Sequence, residues 1–262
     1  MKINSFVSFF KVLFLLFSLS LFSCKNIKIH PKDKFLKAME LYNKKKYSDA
    51  AKLFQEVIIS MSGKYEAIEA SWLLSNCYFN SSNYRKAIKE FIKFYEVYPK
   101  NEKAEEALYL SIVCLNNLSA RVYLDQKETF EAIEFSEEYI DSFPQGKFFD
   151  KVVRIKNNLK EKIDIKNIST VKVFFNLKYY NATLSLIEDI INEINLEFSI
   201  DELVKTATDT IIKIAKKNKK KSSSKQIQKY LKFLYRCRAE KKINDTMFSE
   251  LLRTFFRDIE KK

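Results

Sequence analysis

The chain has 262 residues, 47% of them hydrophobic and 31% charged, with 47 Lys and Arg against 33 Asp and Glu for a formal net charge of +14. That balance permits one or two ordinary helical cores and excludes a polytopic membrane protein. Only two glycines and three prolines occur, too few for tight hairpins or a phosphate-cradling loop, so long helices are the default.

The first 23 residues hold Lys2 and Lys11, no acid, and an apolar run over 12–21. This is the pattern of a secretion signal, and the run is too short to span a bilayer. It stops at Leu21-Phe22-Ser23-Cys24, which resembles a bacterial lipobox, where a small residue precedes a cysteine that is diacylated and becomes the mature N-terminus. Phe22 departs from that pattern, which prefers a small or β-branched residue there. The expected layout is therefore a signal peptide over 1–23, lipid attached at Cys24 and a linker over 24–31. Lys25, in place of an aspartate after Cys24, fits delivery to the outer membrane. An exported basic chain is not expected to meet nucleic acid, whereas anionic headgroups and acidic protein surfaces are natural partners. Lys, Ile, Asn and Phe are abundant as in an AT-rich coding sequence, so the basic excess is not in itself a sign of function. Cys77, Cys114 and Cys237 have neither disulfide nor zinc spacing and read as buried thiols.

From residue 32 onward the chain repeats itself. Tyr47-x-x-Ala50-x-x-x-Phe54 recurs as Tyr84-x-x-Ala87-x-x-x-Phe91, then more loosely as Thr129-x-x-Ala132-x-x-x-Ser136 and Tyr179-x-x-Ala182-x-x-x-Leu186. Tyr98-Pro99 and Phe143-Pro144 close the second and third copies. The pattern resembles the tetratricopeptide repeat, a helix-turn-helix unit of about 34 residues with a small residue at the helix crossing and a proline after the second helix. The expected fold is all-α, a tetratricopeptide solenoid of helix pairs, with Ala50, Ala87, Ala132 and Ala182 at the close contacts. Lys45 and Ser82 stand where the repeat's turn glycine belongs.

Pro99 and Pro144 lie further apart than one repeat needs, which assigns an insertion to the third. Its first helix is expected over about 102–118. Its second restarts at Asp125-Gln126-Lys127-Glu128, a capping-box spacing in which Asp125 accepts from free backbone amides and Glu128 reaches back. Repeats one to three thus occupy 32–163. Residues 164–262 read as degenerate repeats and capping helices: a helix pair over 171–193, a helix over 201–216, a polar loop over 216–224, and helices over 225–237 and 246–260. The lysines of 216–221 read as a solvated loop, with attraction to membrane phosphates or an acidic domain as the functional alternative.

In the tetratricopeptide pattern the first helix of each unit lines a groove. Alignment on the alanines places Phe35, Met39 and Tyr42, then Trp72, Asn76 and Phe79, on that face, with spacings of four and three that keep each trio on one side of its helix. Such a groove suits an extended segment with alternating side chains. For Trp72 and Phe79 a groove and a core position are equally compatible with the spacing, while Leu108, Ile112 and Leu115 read as core. His30 is the single histidine and lies in the linker, so no His-based triad or metal cluster is expected, nor a cofactor or an enzymatic activity. Glu128, Glu131, Glu134, Glu137 and Glu138 fall at helical spacing, as on an exposed helix face.

Three stretches carry a more specific likeness: Gly63-Lys64-Tyr65 with 72–78 and 84–94, the stretch from Pro99 through Ala107-Leu108-Tyr109-Leu110, and Asp125-Gln126-x-x-Thr129-x-x-Ala132 leading to Tyr139, Phe143-Pro144 and Phe148. With the lipobox, they resemble the BamD family of outer-membrane assembly lipoproteins, in which Asp125, Gln126, Thr129, Ala132 and Pro144 form the signature. The resemblance covers 24 to about 163 and fades beyond. It implies a scaffold anchored by lipid to the outer membrane and facing the periplasm. It also implies N-terminal repeats that contact unfolded β-barrel precursors and C-terminal ones that hold the barrel-inserting subunit. Other roles left open are a tetratricopeptide lipoprotein of pilus assembly or envelope division, and a structural link from outer membrane to peptidoglycan.

Overall fold

With so few helix breakers, the backbone satisfies its own hydrogen bonds in helices almost throughout. The computed structural model describes residues 30–119, 121–122, 124–193, 200–217 and 222–260. Among them are eleven α-helices and no strand: α1 (Pro31–Asn43), α2 (Tyr47–Ser60), α3 (Tyr65–Asn80), α4 (Tyr84–Val97), α5 (Ala104–Leu118), α6 (Lys127–Ser142), α7 (Phe149–Asn176), α8 (Tyr180–Glu193), α9 (Ile200–Lys217), α10 (Ser222–Ala239) and α11 (Asp245–Glu260). The expected signal peptide, Cys24 and residues 218–221 lie outside the described residues. Among the described residues the fold is all-α, built of consecutive packed helices. The chain divides into two compact units, 1–90 and 91–262.

In the first unit, Pro31 opens α1 at a position whose amide needs no partner, and His30 Nδ1 accepts from the Lys32 amide at 3.3 Å. Ala38, Ala50, Ala51, Ala67 and Ala70 are buried and let the helices approach closely. Phe54, Val57, Leu74 and Cys77 fill the space between them.

The turns α1–α2 and α3–α4 share one construction. Lys45 has φ 58° and Ser82 φ 57°, both left-handed. The following amide returns to the carbonyl five residues back (Lys46 to Leu41, 2.9 Å; Asn83 to Tyr78, 2.8 Å), and the left-handed residue's own amide returns to the carbonyl three back. This is the Schellman helix stop. The same construction recurs at Lys178 (φ 62°) after α7 and Lys241 (φ 55°) after α10.

These turns set the phase of each pair. Ala50 and Ala87 each lie five residues past the left-handed residue, and both are fully buried, as are Phe54 and Phe91. The same offset from Lys178 reaches Thr183, so the fourth copy is Tyr180-x-x-Thr183-x-x-x-Ile187. Thr183 and Ile187 are buried whereas Ala182 and Tyr179 are exposed. The expectation that Ala182 is the contact residue is off by one position, because Tyr179-Tyr180 and Ala182-Thr183 fit both registers by residue type.

In the second unit, α5 packs with α6 and α7 around Leu108, Ile112, Tyr139, Phe148 and Val152. Helices α7 to α11 share a second core, from Val171 through Leu203, Ile211 and Leu234 to Phe255. The pair expected over 171–193 is corrected here: its first member is the end of α7, which runs unbroken for 28 residues from Phe149. Helices α9, α10 and α11 begin and end within a turn of their expected bounds.

Candidate partner-binding surface

The six groove positions all lie on α1 and α3, and all six are half-buried. Phe35 and Tyr42 stand edge-on to the buried Phe54 ring on α2 at 6.1 and 6.5 Å, and Tyr42 meets Tyr47 at 5.5 Å. Met39 and Trp72 lean on the same core. Phe79 stands edge-on to Tyr84 at 6.2 Å, and the Asn76 amide donates to the Trp72 carbonyl at 2.9 Å. Phe35, Met39, Tyr42 and Trp72 are thus held by the core and remain partly exposed. Aromatic rings braced this way lose little further entropy when a partner covers them. Asn80, which the spacing did not single out, joins the two trios: its amide donates to the Tyr42 hydroxyl at 3.2 Å. Burial raises the Tyr42 phenol above its ordinary pKa. By contrast Leu108, Ile112 and Leu115 on α5 are fully buried, as core residues.

The signature segment of the second unit does another job. Asp125 is exposed, and α6 begins after Gln126 with no side-chain cap. The expected capping box is therefore absent. Gln126 is 2% exposed instead. Its amide donates to the carbonyls of Arg121 (2.9 Å), Leu124 (3.0 Å) and Val122 (3.3 Å), while its Oε1 accepts from the Thr129 hydroxyl at 2.7 Å. Donors line up behind it: Lys162 Nζ donates to Ser119 Oγ at 2.6 Å, and Ser119 lies 2.6 Å from Thr129 Oγ1. Lys166 Nζ also donates to the Leu124 carbonyl at 2.8 Å. A chain of this kind polarises each bond in turn. It moors the α5–α6 connection on α7.

Ala132 is fully buried and Pro144 exposed just past α6. Beyond Pro144, the Tyr139 hydroxyl donates to Glu105 Oε1 at 2.5 Å and accepts from the Phe148 amide at 3.0 Å. A Cβ on Gly146 would lie 2.6 Å from both the Tyr139 hydroxyl and Glu105 Oε1, which is why glycine stands there. Burial, and then the hydrogen bond to Glu105, push the Tyr139 phenol well above its usual range.

Helices α8, α9 and α10 enclose a half-open cavity of about 210 Å³ with Leu184, Ile187, Ala207 and Phe233 among its walls and a Lys229–Glu188 ion pair of 2.7 Å beside it. Cys77, Cys114 and Cys237 are free and buried, and burial pushes their thiols up to about 12, 12 and 11. Among the described residues no cluster of His, Cys, Asp and Glu could hold a metal ion, and no helix is long and apolar enough to cross a membrane.

Residues 28–227 match the family model YfiO, outer membrane lipoprotein. The chain is also similar to the outer membrane protein assembly factor BamD of Rickettsia prowazekii (strain Madrid E), at 28% identity over 108 residues. That match takes in 41% of this chain and spans 43% of the relative's length. Two crystal structures of Podosopora anserina putative kinesin light chain TPR-like repeats, one of them of a point variant, align with 80% of this chain and 95% of theirs at a TM-score of 0.33, with 10% and 9% identity.

Proposed function

The chain belongs to the outer membrane lipoprotein family, and on that premise we propose that it is a lipid-anchored, non-catalytic scaffold of β-barrel assembly. Acylated Cys24 holds it on the periplasmic face of the outer membrane. Phe35, Met39, Tyr42, Trp72, Asn76 and Phe79 receive an extended segment of an unfolded barrel precursor, and the helices after α6 hold the barrel-inserting subunit. The observation that carries this reading is the strip itself: six half-buried side chains on two first helices, four of them, Phe35, Met39, Tyr42 and Trp72, braced by the core. An extended strand places alternate side chains on one face, so a row of apolar footholds with few charges fits it.

Crosslinking in native membranes tests the assignment. A photoreactive residue at Met39 or Trp72 is expected to trap barrel precursors, and one in α9 or α10 the barrel-inserting subunit. Recovery of only pilus, division or cell-wall components overturns the reading. Trp72→Ala with Phe79→Ala is expected to weaken precursor binding at least tenfold with helicity retained. Unfolding of the double variant would instead assign both side chains to the core.

A further inference from the structure

The hairpin tip between α7 and α8 carries an exposed apolar surface. Val173, Leu177 and Tyr179 are 53%, 58% and 60% exposed. Val173 in the last turn of α7 and Leu177, the helix-ending residue four positions on, lie one turn apart on the same side. Tyr179 follows at the apex, beside Lys178 with its left-handed φ of 62°. Beneath them two aromatic pairs brace the tip, Phe174 with Tyr179 at 6.4 Å and Phe175 with Tyr180 at 6.0 Å. From 165 to 187 the chain has lysines at 166, 172 and 178 and no acid. Lys172 is neutralised by Glu202 at 2.6 Å and Lys166 is spent on the Leu124 carbonyl, so Lys178 is the cation the apex itself presents.

We propose that this tip enters the interfacial region of a phospholipid bilayer, with Val173, Leu177 and Tyr179 among the acyl chains and Lys178 at the phosphates. The occupant follows from shape and composition. A helix-turn apex is convex and has no groove for a peptide, whereas a deformable layer admits it. Tyrosine and lysine, with apolar bodies and polar ends, suit the boundary between headgroups and hydrocarbon. The inference rests on the lipoprotein reading, since three side chains alone hold a freely diffusing chain only weakly. Tethering raises the effective concentration of bilayer enough for a weak contact to be occupied.

The test places an environment-sensitive fluorophore on Leu177→Cys in the full mature chain, anchored on vesicles of phosphatidylethanolamine, phosphatidylglycerol and cardiolipin. Cys77, Cys114 and Cys237 are buried and do not compete for the label. Nitroxide-bearing lipid is expected to quench this label at least threefold more than the same label on Ile59→Cys, a position 80% exposed in the other unit. Val173→Ser with Tyr179→Ser should cut the difference at least threefold. Equal quenching at 177 and 59, or a label at 177 that reports bulk water on anchored protein, overturns the proposal. Palmitate incorporation, lost in Cys24→Ser, reads the anchor separately. If Cys24 proves unacylated, a Cys24→Ser chain held through an N-terminal histidine tag on nickel-chelating lipid still reads the tip.

Discussion

The α1–α2 turn of the first unit and the α5–α6 connection of the second perform the same task, joining the two helices of a repeat, by opposite means. The first needs only backbone: one left-handed residue and two amide-to-carbonyl returns close the helix end, and the side chain at the apex points to water. Its identity is therefore nearly free, and Lys45, Ser82, Lys178 and Lys241 all serve. The second is longer, so its carbonyls at 121, 122 and 124 fall out of reach of helix amides, and a buried side chain, Gln126, supplies the donors. A short turn constrains conformation, whereas a long one constrains chemistry.

The largest effect expected from breaking this contrast is at Gln126. Gln126→Leu removes a buried donor shared by the Arg121, Val122 and Leu124 carbonyls and the acceptor of the Thr129 hydroxyl, and urea unfolding should show a loss of about 2–3 kcal/mol, with faster proteolysis near residue 121. Asp125→Ala, at an exposed residue without a capping role, should leave the midpoint unchanged; an equal loss there would restore the capping box. Thr129→Val removes one link of the same hydrogen-bond chain and should cost about 1–2 kcal/mol. At the short turns the sign reverses. Lys45→Gly, Ser82→Gly and Lys178→Gly relieve a left-handed backbone and should each stabilise by about 0.5–1 kcal/mol, read as a raised thermal midpoint, while valine at the same sites should lower it.

A separate effect is expected in alkali. Burial raises the thiols of Cys77, Cys114 and Cys237 above the ordinary value near 9, to about 12, 12 and 11. The unfolded chain therefore ionises first as pH rises, so their contribution is whole below pH 9 and is lost between about 9 and 12. Unfolding midpoints measured across that window should fall with pH, and less steeply in Cys→Ala variants.

Much of the helical order is legible in the sequence, because an alanine at a helix crossing and an aromatic four residues on have no other common use. Ala50, Ala87 and Ala132 are fully buried in consequence. The fourth copy misleads at Ala182 since the neighbouring Thr183 is also small. Only the turn at Lys178 settles which of the two faces inward. The site is legible to a lesser degree: the spacing picks out six residues on one strip, but not Asn80, whose link to Tyr42 joins residues 38 positions apart.

Composition and periodicity alone determined that this chain is helical, repeats, and carries its small residues at helix crossings, because those properties depend on backbone propensity and on spacing of three and four. Tertiary structure alone decided the phase of the fourth repeat, the burial of Gln126 in place of a cap at Asp125, and the half-open state of the strip on α1 and α3. Each depends on which polar group or ring meets which distant neighbour. A periodic pattern shows which side of a helix a residue takes, but not how far the next element covers it.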